Sequence, residues 1–489
     1  MVQGTASNAG KSVLVAGFCR ILMQDGYDVA PFKAQNMSLN SFVTHDGLEM
    51  GRAQVVQAQA ARLPPDVRMN PVLLKPNSDV GSQIIVQGTV VGNMNVSQYV
   101  KYKQEAGRIA CRCYDSLAAE HDVILLEGAG SPGEVNLKQH DIVNMTMARY
   151  AHAPVLLVGD IDRGGVYASF VGTMEVLDEW ERKLIRGFLV NRFRGDSRLL
   201  TDAHFYVKEH TGVDVIGTIP YLKNLGIPEE DSVSFKSGYL QQEKSASQII
   251  EIVLISLPHI SNLNDIEPFF AEPDVYLKIV DNAGDIGEPD AIILPGSKNV
   301  FADRAFLVES GIASVIVKNA QRGCEIVGIC GGYQLLGKRI SDPASIESDN
   351  QTIPCLDLLE IETTLAKEKT RVKKSGIHTE SNLAVEGYEI HHGLSDTPLI
   401  PVFTFADGSS CGSSHPHKNV WGAYLHGLFD ADLFRRYWID SLRTRKGYSA
   451  LAKVVAPYDL EAAFDRLADA IRESVDMKAI YRIIEKHDT

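Results

Sequence analysis

Short apolar runs recur along this chain and alternate with longer stretches of helical spacing. Runs of four to eight aliphatic, often β-branched residues are typical of buried strands, and apolar residues three and four positions apart are typical of helices that cover a sheet. The strand-like runs are Val29–Phe32, 122–127, 154–160, 186–191, 249–256, 291–294 and 325–329. The helical stretches are Val13–Leu22, Ile142–Ala151 and Ala168–Trp180. This alternation predicts an α/β protein whose sheets are mostly parallel and flanked by helices.

A polar stretch near the middle of the chain interrupts this pattern. Residues 236–248 lose their apolar periodicity, and a new buried strand starts at Ile249. The chain of 489 residues is also too long for one ordinary core. We therefore expect two domains, 1–235 and 249–446, joined by a linker over 236–248. Residues 447–489 are predicted to be an amphipathic helical extension that serves packing rather than chemistry.

The composition restricts where the protein works and what it binds. Apolar residues make up 45% of the chain, with no long apolar run, so we expect a soluble globular protein with no membrane partner. The seven cysteines are scattered and odd in number, which fits a reducing cytoplasm, and no secretory leader is visible. A formal net charge of −14 argues against nucleic acid as a partner. The oligomeric state is left open by the sequence.

A cysteine among glycines directly follows the strand-like run 325–329. Gly328 precedes Cys330, Gly331 and Gly332 follow it, and helical spacing resumes afterwards. Glycines there allow a sharp strand-to-helix turn, and the helix N-terminus would favour a thiolate and offer N–H donors to an oxyanion. We therefore predict that Cys330 is a catalytic nucleophile; a buried structural cysteine is the alternative.

A nucleophilic cysteine needs a general base, and three histidines are candidates. His426 follows the strand-like run 423–425 and is the predicted base. His391 and His392 compete for this role, but neither follows a comparable strand end. Neither of them has a carboxylate or thiol at a spacing that favours a metal site instead.

The turn at Cys330 and the later His426 resemble the class I glutamine amidotransferase domain, which has a flavodoxin-like fold. That family usually carries a glutamate two residues after the histidine to orient the imidazole, but Leu428 stands there in this chain. A backbone carbonyl or Glu389 is left to do so. The segment 291–297 resembles the amidotransferase loop whose backbone N–H completes the oxyanion hole. A glutaminase releases ammonia, so the rest of the chain should contain a site that consumes it.

The first residues of the chain combine a glycine-rich turn with a helix. Gly10-Lys11-Ser12 has the ending of a P-loop, whose N–H groups hold phosphates. Gly4 stands one residue earlier than the usual first glycine, a spacing that resembles the variant loop of dethiobiotin synthetase. The preceding strand has room for three residues. We predict a P-loop NTPase-like domain in which Gly10, Lys11 and Ser12 bind ATP; a turn that binds nothing is the alternative.

Polar residues at the predicted strand ends suit the other ligands of such a domain. Glu127 ends a strand at the position from which Mg²⁺ is held, and Ser12 and Glu49 are the other predicted Mg²⁺ ligands. Lys33 is predicted to contact the transferring phosphoryl group or a substrate carboxylate, with a salt-bridged lysine as the alternative. Asn191 is a candidate to contact the adenine.

Blocks of sequence in both predicted domains resemble those of the cobyric acid synthase family. These blocks are 32–40, 49–54, 70–76, 127–131, 160–165, 295–299, 387–391 and 424–429. The resemblance implies that ATP and the nitrogen donor L-glutamine are used to amidate the b, d, e and g carboxylates of adenosylcobyrinic acid a,c-diamide, a corrinoid polycarboxylate of cobalamin biosynthesis. Two alternatives remain: the sister enzyme for the a and c carboxylates, and a regulatory P-loop ATPase with an amidotransferase-like binding domain.

Overall fold

Two structural units share the chain, and each contains segments that are distant in sequence. The structure is a computed structural model that describes residues 1–78, 81–222, 225–228 and 244–485. The first unit comprises Met1–Ser38, Glu49–Ile227 and Asp459–Thr489, and the second comprises Leu39–Leu48 and Pro228–Tyr458. Most of the expected linker lies outside the described residues, so the boundaries 1–235 and 249–446 stay predictions.

The strands are mostly short, apart from one long pair in the second unit. In chain order they are β1 (Val2–Gly4), β2 (Val29–Phe32), β3 (Gln35–Met37), β4 (Ser41–Val43), β5 (Glu49–Gly51), β6 (Val72–Ser78), β7 (Gly81–Val86), β8 (Thr89–Asn95), β9 (Val123–Leu126), β10 (Val155–Asp160), β11 (Ile185–Phe193), β12 (Val215–Pro220), β13 (Ile250–Ile255), β14 (Ile260–Ser261), β15 (Val275–Val280), β16 (Ala291–Leu294), β17 (Gly296–Ser297), β18 (Glu325–Ile329), β19 (Arg339–Ser341), β20 (Thr352–Pro354), β21 (Glu362–His378), β22 (Ala384–Asp396), β23 (Phe403–Phe405), β24 (Ser410–Cys411), β25 (Ser413–Ser414) and β26 (Val420–Ala423).

The helices confirm the predicted alternation and correct it in one place. They are α1 (Lys11–Gln24), α2 (Arg52–Ala60), α3 (Val96–Ala118), α4 (Met145–Tyr150), α5 (Val166–Val176), α6 (Glu179–Arg182), α7 (Thr201–Thr211), α8 (Val300–Glu309), α9 (Ile312–Gln321), α10 (Gly331–Leu335), α11 (Asp432–Arg445), α12 (Leu460–Ser474) and α13 (Met477–Glu485). The helix predicted over 168–180 is divided, because Leu177 is extended and Asp178 starts α6 with a capping box. Within the described ranges, no helix has the length and apolar character to cross a membrane.

The sheet of the first unit places its strand ends along one edge. Strands β1, β10, β11 and β12 are adjacent in that order and parallel. The parallel pair β2–β9 lies next to β1 through a bridge between Val2 and Glu127. Asp160 is in register with Asn191. Ligands of such sheets bind beyond the carboxyl ends of the strands, which is where the P-loop, Glu127 and Asn191 lie.

The C-terminal helices belong to this first unit and pack on the P-loop helix. Phe464, Leu467 and Ile471 of α12 share a core with residues of α1. A β-carbon at Gly17 would collide with Ile471, so the two helices approach closely at that glycine. Arg20 of α1 adds ion pairs at 2.7 and 2.8 Å to two carboxylates of α12. The last segment of the chain therefore supports the helix that starts at Lys11.

The main sheet of the second unit has the order β15-β13-β16-β18-β26-β25 and is parallel except for β25. The apolar residues of β13, β16 and β18 form its core. Ile329 is in register with Ala423, so the chain leaves β18 and β26 at neighbouring points. The residues that follow these two strands, Cys330 and His426 among them, are thereby brought together.

Each unit also has an antiparallel layer in addition to its core sheet. In the first unit, β6, β7 and β8 are antiparallel, and β3 joins β6 in parallel. In the second unit, β21 and β22 form a long antiparallel pair. The prediction of mostly parallel sheets therefore applies to the core sheets, and the antiparallel strands are additions to them.

Candidate active sites

Cys330 lies on a strained turn between β18 and α10. Its φ of 51° and ψ of −105° are unusual for a residue with a side chain. Its N–H donates to the carbonyl of Ala423 at 2.8 Å, which holds the turn against β26. A β-carbon at Gly332 would collide with the carbonyl oxygen of Leu294, so this position tolerates only glycine. The geometry is that of a nucleophile elbow, as the glycines predict.

His426 is the histidine that meets Cys330. Its imidazole is 1% exposed and interacts with the side chain of Cys330, whose Sγ lies 3.9 Å from the carbonyl oxygen of Ile390. Backbone hydrogen bonds with Tyr388 in both directions fix the residue between β26 and β22. His391 and His392, the predicted competitors, instead bond through Nδ1 to the carbonyls of Gly393 and Ala366. The structure therefore brings together the predicted nucleophile and the predicted base.

The imidazole of His426 is oriented by Asp265, which the sequence did not reveal. Oδ2 of Asp265 lies 2.6 Å from Nδ1 of His426, and Oδ1 accepts the N–H of Gly427 at 2.8 Å. Asp265 is 3% exposed and belongs to the 3₁₀ segment Leu263–Ala271. Because Nδ1 is bonded to the carboxylate, Nε2 is left for the thiol. The acid that is missing at Leu428 is thus supplied from a distant part of the chain.

Neither orienting group proposed from the sequence has this position. Oε2 of Glu389 lies 3.9 Å from Nε2 of His391, so this carboxylate is next to a different histidine. The polar run Asn262–Asp265 within an apolar neighbourhood was the available signal, since buried polar residues need a structural or functional reason. A separation of 161 residues along the chain hid its partner.

The charge on Asp265 changes the protonation of the site. Burial lowers the pKa of His426, but the charges of Asp265 and Cys330 and their hydrogen bonds outweigh burial and raise that pKa well above its ordinary value. A protonated imidazole next to Cys330 stabilises the thiolate, which is the nucleophilic form of cysteine.

The loop predicted to complete an oxyanion hole lies against the elbow. A β-carbon at Gly331 would be 2.7 Å from the backbone nitrogen of Ser297, and one at Gly296 would be 3.2 Å from Cε1 of His426. Strand β17, Gly296–Ser297, therefore runs past both the nucleophile and the base. The role of its N–H groups in an oxyanion hole stays a prediction.

The P-loop has the backbone that phosphate binding requires. Gly10 is left-handed, with φ of 94°, and α1 begins at Lys11. Nζ of Lys11 donates to the carbonyls of Ala6 and Gly130, each at 3.1 Å. The amide of Asn191 donates to the carbonyl of Ala9 at 2.9 Å. Asn191 thus lies against the P-loop, while its contact with an adenine stays a prediction.

Glu127 is a buried carboxylate at which several predicted site residues converge. Its Oε1 accepts Ser12 Oγ and Lys33 Nζ, both at 2.8 Å, and its Oε2 accepts the amide of Gln57 at 2.5 Å. A hydroxyl and a carboxylate side by side suit Mg²⁺, which binds few protein ligands and completes its shell with phosphates and water. No group of three or more His, Cys, Asp or Glu side chains that could hold a metal is found among the described residues.

Glu49 is buried and forms an ion pair with Lys75 at 2.9 Å. This ion pair is separate from the hydrogen bond between Ser12 and Glu127. A metal role for Glu49 stays a prediction.

Comparison with known domains defines the class of this protein. Residues 1–234 match the CobQ/CobB/MinD/ParA nucleotide binding domain, and residues 251–434 match the CobB/CobQ-like glutamine amidotransferase domain. The protein is therefore a glutamine amidotransferase joined to a P-loop nucleotide-binding domain.

Relatives of similar length specify the family. The cobyric acid synthase of Nitratidesulfovibrio vulgaris is 52% identical over 99% of this chain and 97% of its own, and that of Desulfitobacterium hafniense is 46% identical over 100% and 98%. An adenosylcobalamin biosynthesis bifunctional protein of Leptospira interrogans is 51% identical over 99% of this chain and 56% of its own. This chain belongs to the cobyric acid synthase family. Its predicted amidotransferase class is confirmed, and neither alternative function is favoured.

Proposed function

We propose that this enzyme uses ATP and glutamine to amidate the b, d, e and g carboxylates of adenosylcobyrinic acid a,c-diamide. The observation that carries the proposal is the buried series Cys330–His426–Asp265 in a chain that also has a P-loop domain. The first site can release ammonia from glutamine, and the second can activate a carboxylate to receive it. The choice of corrinoid substrate is supported by the cobyric acid synthases to which the chain is similar.

In the glutaminase half, Cys330 is the nucleophile and His426 the general acid and base. The thiol proton passes to His426, and the thiolate forms a C–S bond to the glutamine amide carbon. His426 then protonates the departing nitrogen, so ammonia leaves and a glutamyl thioester remains. Water attacks the thioester, gives a proton to His426, and releases glutamate and the free thiol. Asp265 keeps Nδ1 of His426 protonated, so that Nε2 faces Cys330.

In the synthetase half, the substrate carboxylate must become a better acyl donor. Its oxygen attacks the γ-phosphorus of ATP, ADP leaves, and the resulting acyl phosphate reacts with ammonia to give the amide and inorganic phosphate. Lys11 is assigned to the β- and γ-phosphates, and P-loop catalysis of this step is largely neutralisation of charge and positioning. Ser12 and Glu127 would hold Mg²⁺, which neutralises phosphate charge when bound. Lys33 is in position to exchange Glu127 for an incoming phosphoryl group or carboxylate.

The remaining partner assignments follow the same proposal. All seven cysteines are free thiols, which fits a reducing cytoplasm. ATP, glutamine and the corrinoid are the expected partners, without nucleic acid or membrane, and no oligomeric state is assigned.

Amidation of the two possible corrinoids tests the proposal. The purified enzyme is given ATP, Mg²⁺ and glutamine labelled at its amide nitrogen, together with either adenosylcobyrinic acid a,c-diamide or cobyrinic acid. We expect mass spectrometry to find one labelled nitrogen for each of the b, d, e and g carboxylates of the first substrate, with formation of ADP. Amidation confined to the a and c carboxylates of cobyrinic acid would assign the enzyme to the other reaction.

A further inference from the structure

Asp303 is a fully buried carboxylate that the proposed mechanism does not use. It lies in the first turn of α8, and its side chain is 0% exposed. Oδ2 accepts the hydroxyl of Ser297 at 2.6 Å. Oδ1 accepts the backbone N–H of His259 at 3.1 Å and lies 2.9 Å from Nδ1 of its ring. One carboxylate therefore binds groups from two separate segments of the second unit.

Those two segments meet at the strand that runs past the nucleophile. Strand β17, Gly296–Ser297, pairs with β14, Ile260–Ser261. The N–H of Lys298 donates to the carbonyl of His259 at 2.9 Å, which extends the same pairing. Asp303 connects these two segments a second time, through its contacts with the side chains of Ser297 and His259. The position of Ser297 is consequently fixed by the backbone pairing with β14 and by the bond from its hydroxyl to Asp303.

The peptide of Ser297 lies beside the elbow. A β-carbon on Gly331, the residue after Cys330, would be 2.7 Å from the Ser297 nitrogen. An oxyanion donor contributes only if it is already aimed at the place where charge develops, and loss of one such donor costs about 10²–10³ in kcat. A small rotation of this peptide would therefore slow the chemical step without removing any catalytic side chain.

We propose that Asp303 is a positioning residue that holds the Ser297 N–H towards the oxyanion formed when Cys330 attacks glutamine. The inference rests on the proposed glutaminase function and adds to it a residue that touches neither substrate nor nucleophile. An asparagine at position 303 would not reproduce the carboxylate, because its amide nitrogen can only donate to the Ser297 hydroxyl, which replaces the charge-assisted bond by a weaker neutral bond of opposite direction. Loss of the hydroxyl of Ser297 would break the same connection from the other end.

The alternative is that Asp303 only stabilises the fold. A carboxylate in the first turn of a helix is favourable in any case, because it interacts with the helix dipole. Loss of such a contact would lower the amount of folded enzyme, but each folded site would turn over at the normal rate. The two roles therefore differ in kcat per active site.

The test uses Asp303→Asn and Ser297→Ala, singly and together, in the full-length enzyme. Active sites are counted by labelling with a glutamine-like chloroketone, and glutamine hydrolysis is then measured as kcat and KM. We expect Asp303→Asn to lower kcat per labelled site by about 10- to 100-fold, within the range for a weakened oxyanion donor, with KM changed little. The double variant should be no slower than the slower single variant, because both remove one connection. Ammonia-dependent amidation should be unchanged.

Two controls separate the possible outcomes. Asp440→Asn removes another buried carboxylate of the second unit that accepts backbone N–H groups, those of Leu451 and Ala452, and should leave kcat unchanged. If Asp303→Asn does not fold, Ser297→Ala, which removes one hydroxyl, must still lower kcat. A normal kcat per labelled site in either single variant, or additive losses in the double variant, would overturn the positioning role. Glutaminase activity retained by Cys330→Ala would instead overturn the proposed function itself.

Discussion

The glutaminase site and the P-loop site differ in what their charged and reactive groups are bonded to. In the second unit, Asp265 is hydrogen-bonded to His426, and the imidazole of His426 interacts with Cys330. In the first unit, the cations are bonded to carboxylates and carbonyls of the protein: Lys33 to Glu127, Lys75 to Glu49 and Lys11 to Gly130. The groups of the glutaminase site are therefore already arranged for their reaction, whereas the cations of the P-loop site must leave their protein partners to bind ligands.

This difference follows from the two kinds of chemistry. Covalent catalysis depends on a fixed geometry of nucleophile and base, and a strained elbow with a buried acid provides it. Phosphoryl transfer depends on cations that can approach phosphates and a metal, and a buried cation is stable only next to a group such as a carboxylate or carbonyl. Changes at the two sites should therefore damage different activities, and the following experiments measure how far they do.

Replacement of the nucleophile should have the largest effect. We expect Cys330→Ala to abolish glutamine-dependent amidation but to leave ammonia-dependent amidation, because free ammonia needs no thioester. Product formation with each nitrogen source measures both. Cys324→Ala is the matched control: burial raises the pKa of the Cys324 thiol to about 12, so this thiol should be unreactive. Loss of both activities in Cys330→Ala would mean that the division of labour between the units is wrong.

Removal of the orienting acid should have the next largest effect. We expect Asp265→Asn to lower kcat for glutamine hydrolysis by about 10²–10⁴, the upper value being the loss found when the aspartate of a serine-protease triad is changed to asparagine. Ammonia-dependent amidation should stay normal. Glu389→Gln serves as the comparison, since Glu389 was the orienting acid considered from the sequence. A greater loss in Glu389→Gln than in Asp265→Asn would reverse the assignment.

The corresponding change in the first unit should damage both nitrogen sources. In Lys11→Ala the phosphates lose a cation, so ATP turnover and amidation with glutamine or ammonia should all fall by about 10³-fold. Glutamine hydrolysis itself does not require this lysine. Lys183→Ala, which removes an exposed lysine of the same unit, should be normal. Ammonia-dependent rates near those of the unchanged enzyme would contradict the P-loop assignment.

The sequence predicted the parts of these sites that depend on local pattern. Strand β2 begins and ends as predicted, β1 has the expected three residues, and Cys330, Lys11 and Glu127 directly follow a strand or the loop as expected. His426 does not directly follow a strand, because β26 already ends at Ala423. Asp265 was missed because no local pattern connects a 3₁₀ segment with a histidine 161 residues later. The antiparallel strands β6, β7 and β8 of the first unit were missed because the stability of such strands depends on what their two faces pack against, which the sequence alone does not give. Roles at the metal and adenine positions stay predictions.

Asp265 should have a smaller effect on the pH dependence of glutamine hydrolysis. Burial lowers the pKa of His426, but the charges of Asp265 and Cys330 raise it above the ordinary value overall. The stabilisation from this protonated imidazole is complete below the ordinary pKa of histidine and is lost as the pH rises through the raised pKa. We expect the alkaline limb of kcat/KM for glutamine hydrolysis to move to lower pH in Asp265→Asn. Coincident alkaline limbs would mean that Asp265 does not set the protonation of the base.

The smallest effect on catalysis is expected from changes at Leu428, the position at which the wider amidotransferase class usually has a glutamate. Leu428 is 0% exposed and Asp265 already holds Nδ1 of His426, so a glutamate at position 428 would be a desolvated charge with no vacant role. We expect Leu428→Glu to leave glutamine hydrolysis per active site unchanged or reduced, and to lower the free energy of unfolding by about 3 kcal/mol or more, as for an unpaired buried charge. Leu428→Met, which keeps volume and polarity, should cost under about 1.5 kcal/mol.

Denaturant unfolding and glutaminase assays on both variants measure these outcomes. A large gain of activity in Leu428→Glu would show that His426 is incompletely oriented, and a rescue of Asp265→Asn by Leu428→Glu would show that the two positions can serve the same imidazole.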